Sequence, residues 1–124
     1  MKTVIVAAHG SRQKASAAEV AALAKKLDAR VKTDGSNNIQ RVVHAFLQFC
    51  DPLLETVIQE LADSGVDEVV IFPFFISAGS HVQTDIPRAV ETARLKHPRV
   101  RFHITRHLGV LDAIEDIILK EVAE

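Results

Sequence analysis

The sequence has one cysteine, almost no net charge and no long apolar segment, and each absence excludes a class of protein. Cys50 has no second cysteine with which to form an internal disulfide. Fifteen lysine and arginine residues stand against 16 aspartate and glutamate residues, so the net charge of -1 supplies no general field for nucleic acid or an acidic membrane. Charged residues interrupt every apolar run before the roughly 18 residues that span a bilayer. We therefore expect neither nucleic acid nor a membrane as partner.

Two further absences concern targeting and nucleotide chemistry. The first residues run directly into an apolar, strand-like segment without the basic region and cleavage site of a secretory leader, which predicts a cytoplasmic location. No GxxxxGK[ST] phosphate loop is present, so we expect no ATP-dependent step. With 124 residues, 48% of them hydrophobic, residues 1–124 are expected to form a single domain with its own core.

Four short apolar segments rich in β-branched residues alternate with four segments of helical character. The apolar segments are continuous, as expected of parallel strands buried on both faces, and they predict strands at residues 3–8, 39–46, 68–75 and 100–105. Helices are predicted at about 16–32, 52–64, 84–97 and from 111 onward. Four strand–helix repeats indicate an α/β fold, a single-domain, doubly wound, parallel four-stranded sheet with helices on both faces.

Two histidines follow predicted strands in loops of small residues. His9 follows the first strand in the segment AAHGSR, and His81 follows the third in the segment FFISAGSH. If these strands are neighbours, as in the strand order 2-1-3-4, both histidines face one crevice at the carboxyl edge of the sheet. Two imidazoles without a thiolate suit a metal ion that is held briefly and passed on. A surface or hydrogen-bonded structural role for each is the alternative.

Other polar residues near these loops allow more than one interpretation. Ser11, Ser77 and Ser80 can bind anions together with free amides at helix N-termini, or they can act as ordinary helix caps. His107, beyond the fourth strand, would line the crevice rim by position alone, and a structural or surface role outside the site is the favoured alternative. His44, inside the second strand, is interpreted as a packed histidine without a role in the site.

Three motifs, in order along the chain, carry a resemblance to a known family. They are VAAHGSR at 6–12, AFL at 45–47 with an Asp-Pro pair at 51–52, and FFISAGSHVQTDIP at 74–87. Together they resemble the CbiX and SirB sirohydrochlorin chelatases, class II chelatases, over essentially the whole chain. The resemblance implies ATP-independent insertion of a divalent metal ion into sirohydrochlorin, in cobalamin or siroheme biosynthesis, by a lyase without a permanently bound cofactor. Cobalt is favoured, with iron and nickel as alternatives.

The resemblance also implies an assembly and roles for individual residues. A homodimer of a small CbiX-type domain is expected, and the apolar residues of the terminal helix either join its interface or pack on the sheet; these are Ile114, Ile117, Ile118 and Val122. His9 is implied as metal ligand and proton acceptor, and His81 as the second histidine at the metal. The segment lining the tetrapyrrole pocket would be Ile76, Ser77, Ala78, Gly79 and Ser80.

Further substrate contacts are expected from location. Ser11 and Arg12 are placed to bind the carboxylates of sirohydrochlorin, and the glycines beside the histidines would let the backbone approach a flat macrocycle. Asp51 stands where the family usually has a glutamate, and Gln48 occupies a position that is often acidic, so their roles are open. Because Gln48 has no charge with which to accept a pyrrole proton, His9 is the stronger candidate base.

Two other functions compete with the chelatase. A non-catalytic carrier of metal or tetrapyrrole would use the same crevice, and only turnover separates it from an enzyme. A histidine phosphatase-like hydrolase would also place a histidine and a glycine after the first strand. That chemistry needs an arginine immediately before the histidine, where this chain has Ala8. The sequence leaves the choice between sirohydrochlorin and precorrin-2 open.

Overall fold

The four apolar segments form the strands of one sheet, and helices connect them. The structure, a computed structural model, describes residues 1–35, 38–77 and 79–123, with the backbone alone at 80–82. The elements in chain order are β1 (Lys2–Ala8), α1 (Lys14–Asp34), β2 (Ile39–Phe46), α2 (Leu54–Asp63), β3 (Glu68–Pro73), α3 (Ser80–Lys96), β4 (Arg101–Ile104), a 3-10 turn (Leu108–Val110) and α4 (Ala113–Val122).

The sheet is parallel throughout and its strand order is β2-β1-β3-β4. Val4 of β1 lies between Val42 of β2 and Val70 of β3 in the register. The predicted α/β class and the parallel sheet are therefore confirmed, and the 2-1-3-4 order that was supposed for the two histidine loops is the order observed. β1 and β3 occupy the centre, as their continuous apolar sequences require.

Helices cover both faces of the sheet, because successive strand residues point to opposite sides. On one face Val6 and Val42 pack with Ala24 of α1. On the other face Ile5 and Ile71 belong to a larger core with residues of α2 and α3. Burial of these aliphatic side chains stabilises each layer by roughly 25 cal/mol per Å² removed from water.

The third helix differs from its predicted extent. It begins at Ser80 rather than near residue 84, with Gly79 as its extended N-cap residue, and it continues through Pro87. A proline is most easily accepted in the first turn of a helix, which favours a later start in a sequence-based prediction. Here the burial of Ile86 and Val90 against the sheet offsets the missing hydrogen bond. His81 therefore lies in the first helical turn and not in the preceding loop.

The terminal helix α4 does not pack on the sheet, which answers one alternative left by the sequence. Ile117, Ile118, Leu119 and Val122 are each more than half exposed. No helix in the described part of the chain is both long enough and apolar enough to cross a membrane.

A side chain from α1 covers part of the outer edge of β2. The N–H of Val42 donates to Oδ1 of Asp28 at 2.8 Å, and Nζ of Lys32 donates to Oδ2 at 2.7 Å. These hydrogen bonds, that from Lys32 first, hold the pKa of Asp28 below its ordinary value of 3.8. The carboxylate thus satisfies a donor that an unprotected edge strand would offer to another chain.

Replacing Asp28 with asparagine should lower the free energy of unfolding by about 1 kcal/mol near neutral pH. Asparagine keeps an acceptor for the Val42 amide but loses the attraction of Lys32. Because the unfolded chain takes up the proton first as pH falls, the advantage of Asp28 is complete above its ordinary pKa and disappears through its lower folded-state pKa. Urea denaturation of both proteins should converge at acid pH, and a constant difference would contradict this account.

Thr3 carries a buried hydroxyl on the central strand. The residue is 1% exposed, and its Oγ1 has no hydrogen-bond partner among the described atoms. Thr3→Val keeps the shape and removes the unsatisfied group, so we expect the unfolding free energy to rise by about 1 kcal/mol. Thr3→Ser is the control, because it keeps the hydroxyl and loses the methyl group. Denaturation showing Thr3→Val less stable than wild type would refute the prediction.

Candidate active site

The loops that leave the carboxyl edge of the sheet meet around β1. Because all four strands are parallel, the connections 9–13, 47–53 and 74–79 start from the same edge. The chain turns from β1 to α1 on one face and from β3 to α3 on the other. The crevice, defined here as the edge bordered by His9, Phe75 and Ile76, therefore lies at the topological switch point where ligands of such sheets bind.

His9 lies at the end of β1 with one side of its ring against a buried neighbour. The imidazole and the ring of Phe75 have centroids 4.7 Å apart and planes tilted by 46°. Phe75 is 6% exposed, whereas His9 is exposed. A buried ring thus orients an imidazole that solvent reaches. Such a group is accessible to a metal ion or to a proton donor.

Gly10 allows the loop after β1 to pack closely against the loop after β2. Its φ is +99°, and a Cβ there would lie 1.8 Å from the carbonyl oxygen of Gln48. The Gln48 N–H also donates to the His9 carbonyl at 3.1 Å. The loop after β1 is therefore pressed against the loop after β2. This glycine is therefore needed for an internal close approach, and a backbone approach to a macrocycle stays a prediction.

A second close approach fixes the other border of the crevice. A Cβ on Gly109 would lie 1.6 Å from the carbonyl oxygen of Ile76. The Gly109 N–H donates to the Phe75 carbonyl at 3.1 Å, which ties the 3-10 turn to the loop after β3. The side chain of Ile76 is left 65% exposed. His107, at the N-terminus of this turn, is half-buried.

Four further predicted site residues lie in or at the ends of the same loops. Oγ of Ser11 accepts a hydrogen bond from the Gln13 N–H at 3.0 Å, a local turn before α1. Asp51 is exposed after β2, Ser77 is exposed after β3, and Gly79 is the N-cap residue of α3.

Part of the predicted site lies outside what the structure describes. Ala78 is not among the described residues, and Ser80 and His81 are described by their backbone alone, in the first turn of α3. Among the described side chains, no three histidine, cysteine, aspartate or glutamate residues cluster as a metal site. His9 is the described candidate ligand at the crevice.

Phe49 is a residue of these loops that was not predicted from the sequence to belong to the site. It lies in the loop after β2 with a φ of +73°, and it is 54% exposed. The guanidinium carbon of Arg12 lies 4.8 Å from the centroid of its ring. The available signal was an aromatic residue in a polar turn next to Gln48, at the end of a strand.

Two concave regions of the surface lie away from His9. A groove of about 340 Å³ lies between α2 and α3, and a cleft of about 610 Å³ lies beside β2. The cleft includes His44, whose pKa is lowered by burial and whose ring meets Phe46 edge-on at 5.4 Å. His44 is a packed histidine, as predicted. Neither region is lined by His9, the exposed imidazole at the crevice.

Comparison with known proteins identifies the family. The CbiX family model matches residues 3–124. The sirohydrochlorin cobaltochelatase of Methanopyrus kandleri is 30% identical over 88 residues, 71% of this chain and 57% of the relative. The sirohydrochlorin ferrochelatase of Priestia megaterium is 27% identical over 124 residues, 100% of this chain and 44% of the relative.

A solved structure shows the same fold. SirB from Bacillus subtilis with Fe3+ superposes with a TM-score of 0.81 and 20% identity, over 99% of this chain and 48% of that one. The match spans 57% of the length of the Methanopyrus kandleri cobaltochelatase and 44% of that of the Priestia megaterium ferrochelatase. Since the family model covers all of the chain except its first two residues, the protein belongs to the CbiX family.

Proposed function

We propose that this protein is an enzyme that inserts a divalent metal ion into sirohydrochlorin without ATP. The observation that carries the proposal is His9, an exposed imidazole oriented by Phe75 at the switch point of the sheet. Relatives named as cobaltochelatase and as ferrochelatase support the reaction class. We favour cobalt as the metal substrate, with iron and nickel as alternatives, since imidazole binds all three.

Metal insertion requires a group that can coordinate the metal ion or accept protons from the macrocycle. The ion must lose bound water, and two pyrrole N–H groups must lose their protons as the metal–nitrogen bonds form. A neutral imidazole can coordinate the ion or accept a proton near neutral pH. We assign this role to His9, with His81 at the start of α3 as the second histidine. The neighbouring Gln48 is an uncharged amide and cannot act as the base.

The loops around His9 would bind the macrocycle. Exposed Ile76 offers an apolar border, and its position is fixed by the contact with Gly109. Ser11 accepts one hydrogen bond through Oγ, which leaves its own hydroxyl proton to donate to a carboxylate. We propose that the substrate-binding residues are Ser11, Arg12, Asp51, Ile76, Ser77, Ala78, Gly79 and Ser80.

We propose a homodimer in which the apolar side of α4 meets a second copy. Ile117, Ile118 and Val122 are 61%, 55% and 69% exposed, and a helix with such a face gains stability by burying it. The single, free Cys50 is consistent with the proposed cytoplasmic location.

The dimer proposal predicts a dissociating variant. Ile118→Glu, which places a charge on the apolar side of α4, should weaken dimerisation by about tenfold or more. Lys120→Glu is the matched control, because Lys120 lies on the opposite side of the same helix. Light scattering after size-exclusion chromatography measures the mass at several concentrations. A monomeric wild-type protein, or equal effects of the two variants, would overturn the assignment.

Metal insertion is tested directly by anaerobic absorbance spectroscopy. Sirohydrochlorin is mixed with catalytic amounts of protein and with cobalt, iron or nickel, and the spontaneous rate is subtracted. Several turnovers per protein molecule with one ion would support the chelatase and name its metal. Binding of metal or macrocycle without turnover would refute the enzyme and favour a carrier.

A further inference from the structure

Phe49 is held in an uncommon backbone conformation close to His9. Its φ of +73° is a left-handed value that bulky side chains seldom adopt, because Cβ then crowds the following carbonyl group. The loop around it is closed by backbone hydrogen bonds, from the Gln48 N–H to the His9 carbonyl at 3.1 Å and from the Phe46 N–H to the Pro52 carbonyl at 2.8 Å. Phe49 therefore belongs to a closed loop whose preceding residue, Gln48, is bonded to the backbone of His9.

Arg12 lies against this ring from the loop after β1. Its guanidinium carbon is 4.8 Å from the ring centroid, within the range of a cation–π interaction. Within the described residues Arg12 forms no ion pair with a carboxylate. A guanidinium can stack on a ring and still direct its N–H groups at an anion, because those donors lie in its own plane.

The charge of the protein makes a local cation important for an anionic ligand. A net charge of -1 provides no long-range attraction, so a macrocycle that carries carboxylates must be held by particular side chains. Arg12 is an exposed cation in the loop that begins with His9. Its N–H groups are donors of the kind that form charge-assisted hydrogen bonds with a carboxylate.

We propose that Phe49 and Arg12 together form the carboxylate-recognition element of the crevice, with Phe49 positioning the Arg12 guanidinium for a peripheral carboxylate of the tetrapyrrole. This inference rests on the proposed function, because it names how that substrate is held. An unsupported arginine loses rotamer freedom on binding, whereas contact with the ring restricts the guanidinium beforehand. The pair therefore favours macrocycles with ionised carboxylates over uncharged ones.

The test is a titration of the full-length protein with metal-free sirohydrochlorin, followed by absorbance. Arg12→Gln should raise the Kd about tenfold, because a charge-assisted hydrogen bond is lost. Phe49→Leu should raise it about threefold, the effect of a lost cation–π contact at an exposed site. Arg30→Gln is the matched control, an exposed arginine on α1, and should leave the Kd within about twofold. The double variant should bind no more weakly than Arg12→Gln alone, since Phe49 acts through Arg12.

Two readouts separate recognition from a structural role. The weaker binding by Arg12→Gln and Phe49→Leu should raise KM and leave kcat unchanged. The difference from wild type should vanish for a macrocycle whose carboxylates are esterified. Equal Kd values for Arg12→Gln and Arg30→Gln, or an equal loss with the ester, would overturn the proposal. If Phe49→Leu lowers the Tm, its weaker binding could come from a damaged fold. The Kd values of Arg12→Gln and Arg30→Gln then decide, because the Arg12 side chain is exposed and its replacement leaves the fold intact.

The outcomes also distinguish this inference from the proposed function. Turnover by the wild type with unchanged binding by both variants would overturn the recognition element and leave the chelatase standing. Wild-type binding that depends on Arg12 and Phe49, without any turnover, would overturn the chelatase and support the recognition element. No binding of sirohydrochlorin by the wild type would overturn both.

Discussion

His9→Phe is expected to reduce metal insertion by at least about 100-fold while leaving the protein folded. Phenylalanine keeps an aromatic ring against Phe75 but has neither a metal ligand nor a proton acceptor. Because His9 is exposed, its replacement leaves no buried polar group without a partner. His9→Ala should lose as much activity, since it also removes both ring nitrogens.

His97→Ala is the matched control for this prediction. His97 follows the last residue of α3, at the opposite edge of the sheet from the crevice, and its Nε2 lies 3.2 Å from Oε1 of Gln59. Its loss should leave the rate of metal insertion within about twofold. Initial rates with sirohydrochlorin, together with circular dichroism for the fold, measure both variants. Wild-type rates in His9→Phe would remove His9 from the mechanism.

Gly10→Ala is expected to lower the free energy of unfolding by about 3 kcal/mol. The new Cβ would lie 1.8 Å from the backbone oxygen of Gln48, and a backbone atom cannot turn aside as a flexible side chain can. The loops after β1 and β2 must then separate. Metal insertion should fall as well, because His9 immediately precedes the displaced residue.

Gly65→Ala is the control that separates two contributions to the Gly10→Ala loss, the clash of the new Cβ with Gln48 and the cost of a positive φ for alanine. Gly65 has a φ of +90°, similar to the +99° of Gly10, and a Cβ there meets nothing within 4 Å. We expect a loss of about 1 kcal/mol, the ordinary cost of a left-handed alanine. Urea denaturation of the two variants gives the difference directly. Equal losses would show that the contact with Gln48 is unimportant.

Most helices and strands could be predicted from the sequence, because hydrophobic pattern and turn residues act over short distances along the chain. The segment at 39–46 was predicted with the bounds that β2 has in the structure, since its β-branched residues end at a polar turn. The strand order was only supposed, as the common 2-1-3-4 arrangement, because four strand–helix repeats with right-handed connections allow more than one order; the structure has this order. The start of α3 did not follow, since the burial of Ile86 and Val90 outweighs the local effect of Pro87.

Some residues of the candidate site could be predicted from the sequence, and others depend on tertiary contacts. His9 could be found from its position after a strand, because any residue there reaches the carboxyl edge of a parallel sheet. Phe49 had only a local signal, an aromatic residue in a polar turn, because its contact with Arg12 joins two loops that are separated along the chain. The internal role of Gly10 likewise depends on Gln48, a neighbour on another strand's loop.

By itself the sequence determined the α/β class, the parallel strands, the family motifs and the histidine at the end of the first strand. These follow from hydrophobic pattern and residue order, which act over short distances along the chain. Only the tertiary structure decided that α4 leaves its apolar side exposed, that Phe75 orients His9, and that Phe49 meets Arg12. The physical reason is that packing and close approach depend on which distant segments the folded chain brings together.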